Sequence, residues 1–188
     1  MLFIYPQAMC CNVGHKWGRM VNRWQNVDKS GDNSAFLWIT NSFTYMFLGE
    51  YTHTIDQKRR MAIPAKFRKD AGKKVYITRG LDNCLFIFPE KEWQKLADKL
   101  GSLPLGQSDA RGFGRLMLAG ATEASLDTMG RILIPDYLMD YASLKKQAVV
   151  TGVYNRIEIW DEKLWDTYKK KSEKDAEGLA ERLGELGV

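Results

Sequence analysis

Cysteine and histidine are scarce in this chain of 188 residues, which has three cysteines and two histidines. Three cysteines provide no even set of disulfides and favour a reducing compartment. Cys10, Cys11 and His15 lie near one another, but a structural zinc site needs four ligands at a characteristic spacing, and nothing nearby supplies the rest. We therefore predict neither a metal site nor a cofactor.

The chain also lacks long apolar runs and glycine-rich phosphate loops. No segment approaches the roughly 18 to 20 apolar residues needed to cross a bilayer, and the N-terminal segment has no basic region and is interrupted by Pro6, so we predict no membrane contact and no secretory signal. No nucleophile lies beside a base in the sequence, and Cys84 is expected to be buried in a strand. We predict no catalytic residues, no small-molecule substrate and no enzymatic activity.

The charge balance points weakly to a polyanionic partner. The formal net charge is +5 and the isoelectric point is about 9.0, which many proteins without nucleic-acid partners share. The composition, 45% hydrophobic and 27% charged, is that of a globular chain. The length allows one domain of ordinary size with extensions.

The most informative feature is a repeated motif, which runs from Ile55 to Pro64 and again from Leu126 to Pro135. Each copy is followed by a run rich in valine, isoleucine and phenylalanine and then by a tryptophan, Trp93 or Trp165. A repeated supersecondary unit usually packs against its copy, because one unit alone cannot bury its apolar side. We therefore expect one core that is built from two halves.

Hydrophobic periodicity, together with proline and glycine positions, gives a coarse map. The predicted strands are Phe47–Ile55, Arg60–Ile63, Val75–Thr78, Cys84–Phe88, a strand ending at Leu126, Arg131–Ile134, Ala148–Thr151 and Ile157–Trp160. The predicted helices follow Pro64, Pro89 and Pro135, cover Asp109–Leu118, and begin again at Asp161. The predicted boundaries are an extension or mis-set start at 1–45, repeats at 49–95 and 119–163, a connecting segment at 96–118 and a charged C-terminal helix at 164–188.

The motif itself resembles that of a known family. A turn of the form Asp-x-Lys-Gly-Arg, followed by alternating apolar residues and Ile/Val-Pro and present twice, resembles the MraZ family of bacterial transcriptional regulators. The resemblance implies an α+β fold with a pseudo-symmetric double swapped-hairpin β-barrel core of AbrB type and short helices. It also implies a ring-shaped homo-oligomer, in the cytoplasm and on the nucleoid, that binds repeated promoter elements of the division and cell-wall gene cluster. The alternative is an AbrB-type protein-interaction or antitoxin-like module.

Basic residues cluster at the first copy of the turn. The candidate DNA-binding residues are Lys58, Arg59, Arg60 and Arg131 in the turns and Lys66 and Arg68 on the helix that follows the first. Neutralising phosphates and releasing counterions supplies much of the affinity for DNA, and an arginine fork can also read guanine. The competing interpretation is that a run of charges is simply a solvated face.

The remaining residues of the motif are expected to shape the turns. Asp56 and Asp127 can accept hydrogen bonds from backbone N–H groups and pair with the arginine four places later. Gly130 occupies a position where the first copy has Arg59, which costs on the order of 1 kcal/mol if φ is positive there. Because the second copy has Met129 in place of lysine, we expect the first copy to make most DNA contacts and the second to serve the core and the ring.

Overall fold

The computed structural model of this protein describes residues 46–184. The predicted extension at 1–45, with Cys10 and Cys11, and residues 185–188 of the predicted C-terminal helix lie outside the described residues. The strands are β1 (Phe47–Thr54), β2 (Arg60–Ala62), β3 (Lys74–Arg79), β4 (Leu85–Pro89), β5 (Thr122–Ser125), β6 (Arg131–Leu133), β7 (Gln147–Tyr154) and β8 (Arg156–Asp161). The helices are α1 (Ala65–Ala71), α2 (Glu90–Gly101), α3 (Ser108–Gly114, continued by a π-helical turn at Arg115–Ala119), α4 (Asp136–Tyr141), α5 (Glu162–Lys174) and α6 (Ala176–Gly184).

Local chemistry sets the helix starts. Pro64 and Pro135 directly precede α1 and α4, where a missing N–H costs nothing because the first N–H groups of a helix have no partner within it. Asp161 caps α5, since its carboxylate accepts from the N–H groups of Lys163 and Leu164. Such a cap typically contributes about 1 kcal/mol.

The strands pair across the two halves of the chain. Six of them form one antiparallel sheet in the order β1-β7-β8-β4-β3-β5, and β2 pairs with β6 in a separate two-stranded ribbon. If each strand is exchanged for its counterpart in the other repeat, the sheet order reads the same from the opposite end, and the β2–β6 pair maps onto itself. The two copies are therefore related by a pseudo-twofold axis.

The core lies between the ribbon and the sheet. Met61 of β2 and Ile132 of β6 pair directly, and both are fully buried. Phe67 of α1 and its counterpart Leu138 of α4 are buried as well, and the Phe67 ring packs edge-on against Phe47 of β1, 5.4 Å between centroids. Burying each such side chain contributes about 1.5 to 3 kcal/mol, so neither half is expected to fold without the other.

The α+β class predicted from the sequence is confirmed, whereas a closed barrel is not found. Within residues 46–184 the six-stranded sheet is open, with β1 and β5 at its edges. The reason is that β2 pairs with β6, while among the described residues its β-pairing within its own repeat is limited to one bridge, from Met61 to Ile55 just after β1. The C-terminal helix is also divided, since α5 ends before Asp175 and α6 begins after it.

Candidate nucleic-acid interface

The two motif copies form turns of the same geometry. In the first, the N–H of Arg59 donates to the carbonyl of Asp56 at 2.9 Å, and the N–H of Asp56 donates to the carbonyl of Arg60 at 3.0 Å. The corresponding distances in the second copy, from Gly130 to Asp127 and from Asp127 to Arg131, are 2.8 and 2.9 Å. This is a type I turn followed by one left-handed residue, a common three-residue hairpin loop.

The aspartate at the start of each turn organises the loop. Asp56 Oδ1 accepts from the N–H groups of Lys58 at 2.8 Å and Arg60 at 2.9 Å, while Oδ2 binds Nε and Nη2 of the Arg60 guanidinium, both at 2.8 Å. Asp127 makes the same four contacts to the N–H groups of Met129 and Arg131 and to the Arg131 guanidinium, at 2.8 to 2.9 Å. These are the contacts that the sequence predicts for an aspartate in this place.

Hydrogen bonding lowers the pKa of both aspartates. For Asp56 the main cause is the backbone N–H of Arg60, and for Asp127 it is the backbone N–H of Arg131. Both carboxylates are therefore ionised at neutral pH, and each holds one arginine by a pair of charge-assisted hydrogen bonds. The clamp fixes the direction of the guanidinium before any ligand arrives, which reduces the entropy lost on binding.

The left-handed position is occupied by different residues in the two turns. The backbone angle φ is 59° at Arg59 and 74° at Gly130, so the positive φ considered from the sequence is present in both copies. Arg59 thus adopts a conformation that costs a residue with a side chain about 1 to 2 kcal/mol. Its guanidinium forms an ion pair with Asp136 at the start of α4, which ties the first turn to the second repeat.

The Arg68 side chain packs beside Gly130, in the space that a side chain at this position would occupy. Its Nε donates to the carbonyl of Ile63 at 2.8 Å, and a Cβ added to Gly130 would lie 2.4 Å from this Nε. Each turn is also joined to the residue that follows the ribbon strand of the other repeat, by N–H donation from Ile63 to the carbonyl of Gly130 at 2.9 Å and from Ile134 to the carbonyl of Arg59 at 3.0 Å. Arg68 therefore supports the second turn, and its predicted contact with DNA stays a prediction.

The outer face of the β2–β6 ribbon carries both clamped arginines. Arg60 pairs with Leu133 across the ribbon, and Ala62 pairs with Arg131. Because side chains alternate along a strand and Met61 and Ile132 point into the core, these four residues share the opposite face. The exposed fraction of the side chain is 35% for Arg60 and 25% for Arg131.

Positive charge is unequal between the repeats. The first repeat has Lys58 exposed in its turn and Lys66 and Lys69 exposed on α1. The residues at the same places in the second repeat are Met129, Tyr137 and Asp140, all exposed as well. The structure thus places Lys58 and Arg60 at one end of the β2–β6 ribbon and Arg131 toward the other, with the α1 lysines on the helix that follows β2.

Two residues of this surface, Asp136 and Leu133, are not among the candidate residues taken from the sequence. Asp136 follows Pro135 and looks like an ordinary first-turn helix acidic residue, so its ion pair with Arg59 has no signal in the sequence. Leu133 belongs to an alternating strand and was expected only as an apolar residue, but half of its surface is exposed (51%). The alternation of Ile132, Leu133 and Ile134 could have indicated its outward direction.

Cys84 has no part in this surface. It is fully buried, and its thiol donates to the carbonyl of Leu81 at 3.1 Å. Burial raises the pKa of the thiol well above its usual range, which keeps it protonated and unreactive.

Among residues 46–184, no helix is long and apolar enough to cross a membrane.

The shared order of elements and the common ribbon define a protein made of two tandem copies of one α+β unit. Comparison with known proteins identifies its family. The family model described as "MraZ protein, putative antitoxin-like" matches the chain twice, over residues 46–116 and 117–185. The chain therefore belongs to the MraZ family, as its motif indicates.

Individual relatives agree with this assignment. Over 143 residues the chain is 48% identical to the transcriptional regulator MraZ of Natranaerobius thermophilus, an alignment that covers 76% of this chain and 100% of the relative. It is 47% identical over 138 residues to the transcriptional regulator MraZ of Carboxydothermus hydrogenoformans, covering 73% and 96%. The names describe regulators, and the chain, as a member of this family, is not an enzyme.

Proposed function

We propose that this chain is a sequence-specific DNA-binding transcriptional regulator of the bacterial division and cell-wall gene cluster. The observation that carries the proposal is the β2–β6 ribbon, on whose outer face Arg60 and Arg131 are each held by an aspartate. The major groove of B-DNA admits a two-stranded β-ribbon. An oriented guanidinium there can bind O6 and N7 of guanine, a contact that typically discriminates by about 1 to 3 kcal/mol.

The lysines of the first repeat are proposed to hold the phosphates on one side of this groove. Lys58, Lys66 and Lys69 are exposed, and among the described residues none of their side-chain amines forms an ion pair. Each phosphate neutralised lowers the slope of log affinity against log salt by about 0.9. Asp56 and Asp127 shape the turns and are not proposed to contact DNA, because a carboxylate repels phosphate.

The functional unit is proposed to be a ring-shaped homo-oligomer that binds double-stranded promoter DNA in the cytoplasm, on the nucleoid. One subunit offers few cations, which is little for a specific regulator. A ring places several identical ribbons along repeated promoter elements, and each contact after the first is made at high effective concentration. In this proposal the repeats at 49–95 and 119–163 are swapped hairpins, in keeping with the pairing of β1 with β7 and of β3 with β5.

The proposal is tested by mobility shift and footprinting on the DNA upstream of the chain's own coding sequence. Duplexes with one, two and three copies of the protected element are then titrated over a range of salt. Affinity should rise steeply with copy number, and the salt slope should exceed that of about three phosphates. Equal affinities, or a shallow slope, would mean that a lone subunit does the binding.

The same experiment distinguishes the regulator from the alternative, an AbrB-type protein-interaction or antitoxin-like module, which fits the antitoxin-like description of the matching family. Such a module would show no preference between the upstream fragment and a scrambled duplex of the same length and composition. A footprint confined to the upstream fragment would instead support the regulator.

A further inference from the structure

Two apolar side chains stand exposed on the surface proposed to meet DNA. Leu133 on β6 is 51% exposed and Met129 at the tip of the second turn is 61% exposed. Their counterparts in the first repeat are Ala62 and Lys58. Single exposed apolar residues are ordinary, but these two lie on the same short segment as a clamped arginine.

The place of Leu133 is well defined by the ribbon. It lies directly opposite Arg60 in the β2–β6 pairing, on the face that points away from the buried pair Met61 and Ile132. Any base edge reached by the Arg60 guanidinium would therefore have Leu133 beside it. The position related to Leu133 by the pseudo-twofold axis, opposite Arg131, holds the smaller Ala62. A leucine therefore lies opposite only one of the two arginines.

The chemistry of the major groove offers one apolar feature, the C5-methyl group of thymine. We propose that Leu133 and Met129 are specificity-determining residues that contact thymine methyl groups, Leu133 next to a guanine bound by Arg60 and Met129 next to one bound by Arg131. This inference rests on the proposed function and adds the base that the second repeat reads. Each DNA recognition element would then be read in one direction, because the first repeat contacts phosphates and the second repeat makes the apolar contact.

A second protein is the competing occupant of an exposed apolar surface. Here the two apolar side chains lie toward opposite ends of the ribbon, Leu133 opposite Arg60 and Met129 two residues before Arg131, so each is a single apolar residue near an arginine. Protein interfaces typically have an aromatic and aliphatic core with few charges, whereas interfaces with DNA are strongly positive. The surroundings therefore favour DNA.

The test removes the methyl groups one at a time. Duplexes that bind the full-length chain are selected from a pool with a random segment, and each thymine of the enriched element is replaced by uracil, which differs only in lacking the C5-methyl. One or two replacements should weaken binding of the unmodified protein roughly fourfold, the value for one buried methylene-sized group. Leu133→Ala should bind more weakly and lose sensitivity to one of these replacements, and Met129→Ala to another.

Leu105→Ala provides the matched control, because Leu105 is 80% exposed in the segment between α2 and α3; it should behave like the unmodified protein. Full uracil sensitivity in both Leu133→Ala and Met129→Ala would overturn the inference and leave the regulator standing, as would an enriched element without thymine. A smaller assembly of Leu133→Ala by light scattering, with sensitivity unchanged, would assign Leu133 to a subunit contact instead. No enriched sequence at all would overturn the proposed function and the inference with it.

Discussion

The two repeats share a backbone but differ in their surfaces. Both turns close with the same hydrogen bonds, both hold an arginine by an aspartate, and both have a left-handed residue at the same place. The exposed side chains around them diverge, with lysines at Lys58, Lys66 and Lys69 in the first repeat and Met129, Tyr137 and Asp140 in the second.

This difference shows which parts of the motif serve the fold. The aspartate and arginine of each turn are needed for the loop in both copies, since they satisfy its backbone and fix its shape. The two residues that directly follow each aspartate are free to change, because they face solvent. A pseudo-symmetric scaffold can therefore present an asymmetric surface to an asymmetric ligand.

The largest expected effect is on DNA binding by the clamped arginines. Arg60→Ala should weaken specific binding roughly tenfold or more, since a lost guanine contact costs about 1 to 3 kcal/mol. Arg131→Ala should cost clearly less, because its side chain is less exposed, at 25% against 35%, and has no lysine in its turn. Titrations at one salt concentration compare the two, and equal losses would refute the asymmetry.

Arg60→Lys separates charge from geometry in the same assay. Lysine keeps the positive charge but has no planar fork. If Arg60 reads guanine, this variant should retain most non-specific affinity and lose the preference for the enriched element. A variant that keeps full preference would reduce Arg60 to a phosphate contact.

Substitution at the left-handed position should change the free energy of unfolding by different amounts in the two copies. Gly130→Ala brings a Cβ within 2.4 Å of Arg68 Nε, and it forces a residue with a side chain to a positive φ. We expect a loss of about 1 to 3 kcal/mol in the free energy of unfolding, measured by urea denaturation. Arg68→Ala combined with Gly130→Ala should recover part of this loss. No recovery would mean that the positive φ alone, and not the contact with Arg68, causes the loss.

Arg59→Gly is the matched change in the first copy. Relief of the left-handed strain is offset by the greater freedom of glycine in the unfolded chain and by the lost ion pair with Asp136. The free energy of unfolding should stay within about 1 kcal/mol of the unmodified value. A loss as large as that of Gly130→Ala would mean that the ion pair with Asp136 dominates at this position.

The aspartates should respond alike, in contrast to the arginines. Each has a pKa below its ordinary value, so it stabilises the fold fully above the unfolded pKa of about 3.9 and loses this contribution as the pH falls through the lower folded pKa. Asp56→Asn and Asp127→Asn should flatten the acid dependence of the unfolding temperature below about pH 4 to the same extent. Calorimetry from pH 6 to pH 2 checks this, and an unequal effect would mean that the turns differ in more than their surface.

Much of the fold could be predicted from the sequence, because it depends on local chemistry. Proline marks the starts of α1 and α4, and alternation marks the strands. The turn geometry was predictable for the same reason, since Asp56 and Asp127 contact only residues within four positions. The positive φ at Arg59 could be suspected because its counterpart is Gly130.

The antiparallel pairing of β3 with β4 follows from the short turn between them, but strand partners from different repeats and other contacts between the repeats could not be predicted in this way. Periodicity shows which face of a strand is buried but not which strand lies beside it, so the β2–β6 ribbon and the open sheet required the structure. The ion pair of Arg59 with Asp136 and the packing of Arg68 on Gly130 depend on how the two halves meet. For the same reason the sequence treats Arg59 and Arg68 as cations available to DNA.

The first repeat is proposed to supply most of the electrostatic attraction for DNA. Exchanging one matched pair of residues, Lys58→Met and Met129→Lys, and measuring affinity for one duplex over a range of salt tests this most directly. Lys58→Met should make the slope of log affinity against log salt shallower by about 0.9 for each subunit bound, and Met129→Lys should steepen it by no more than that amount. An unchanged slope in Lys58→Met would mean that Lys58 contacts no phosphate and would contradict this role of the first repeat.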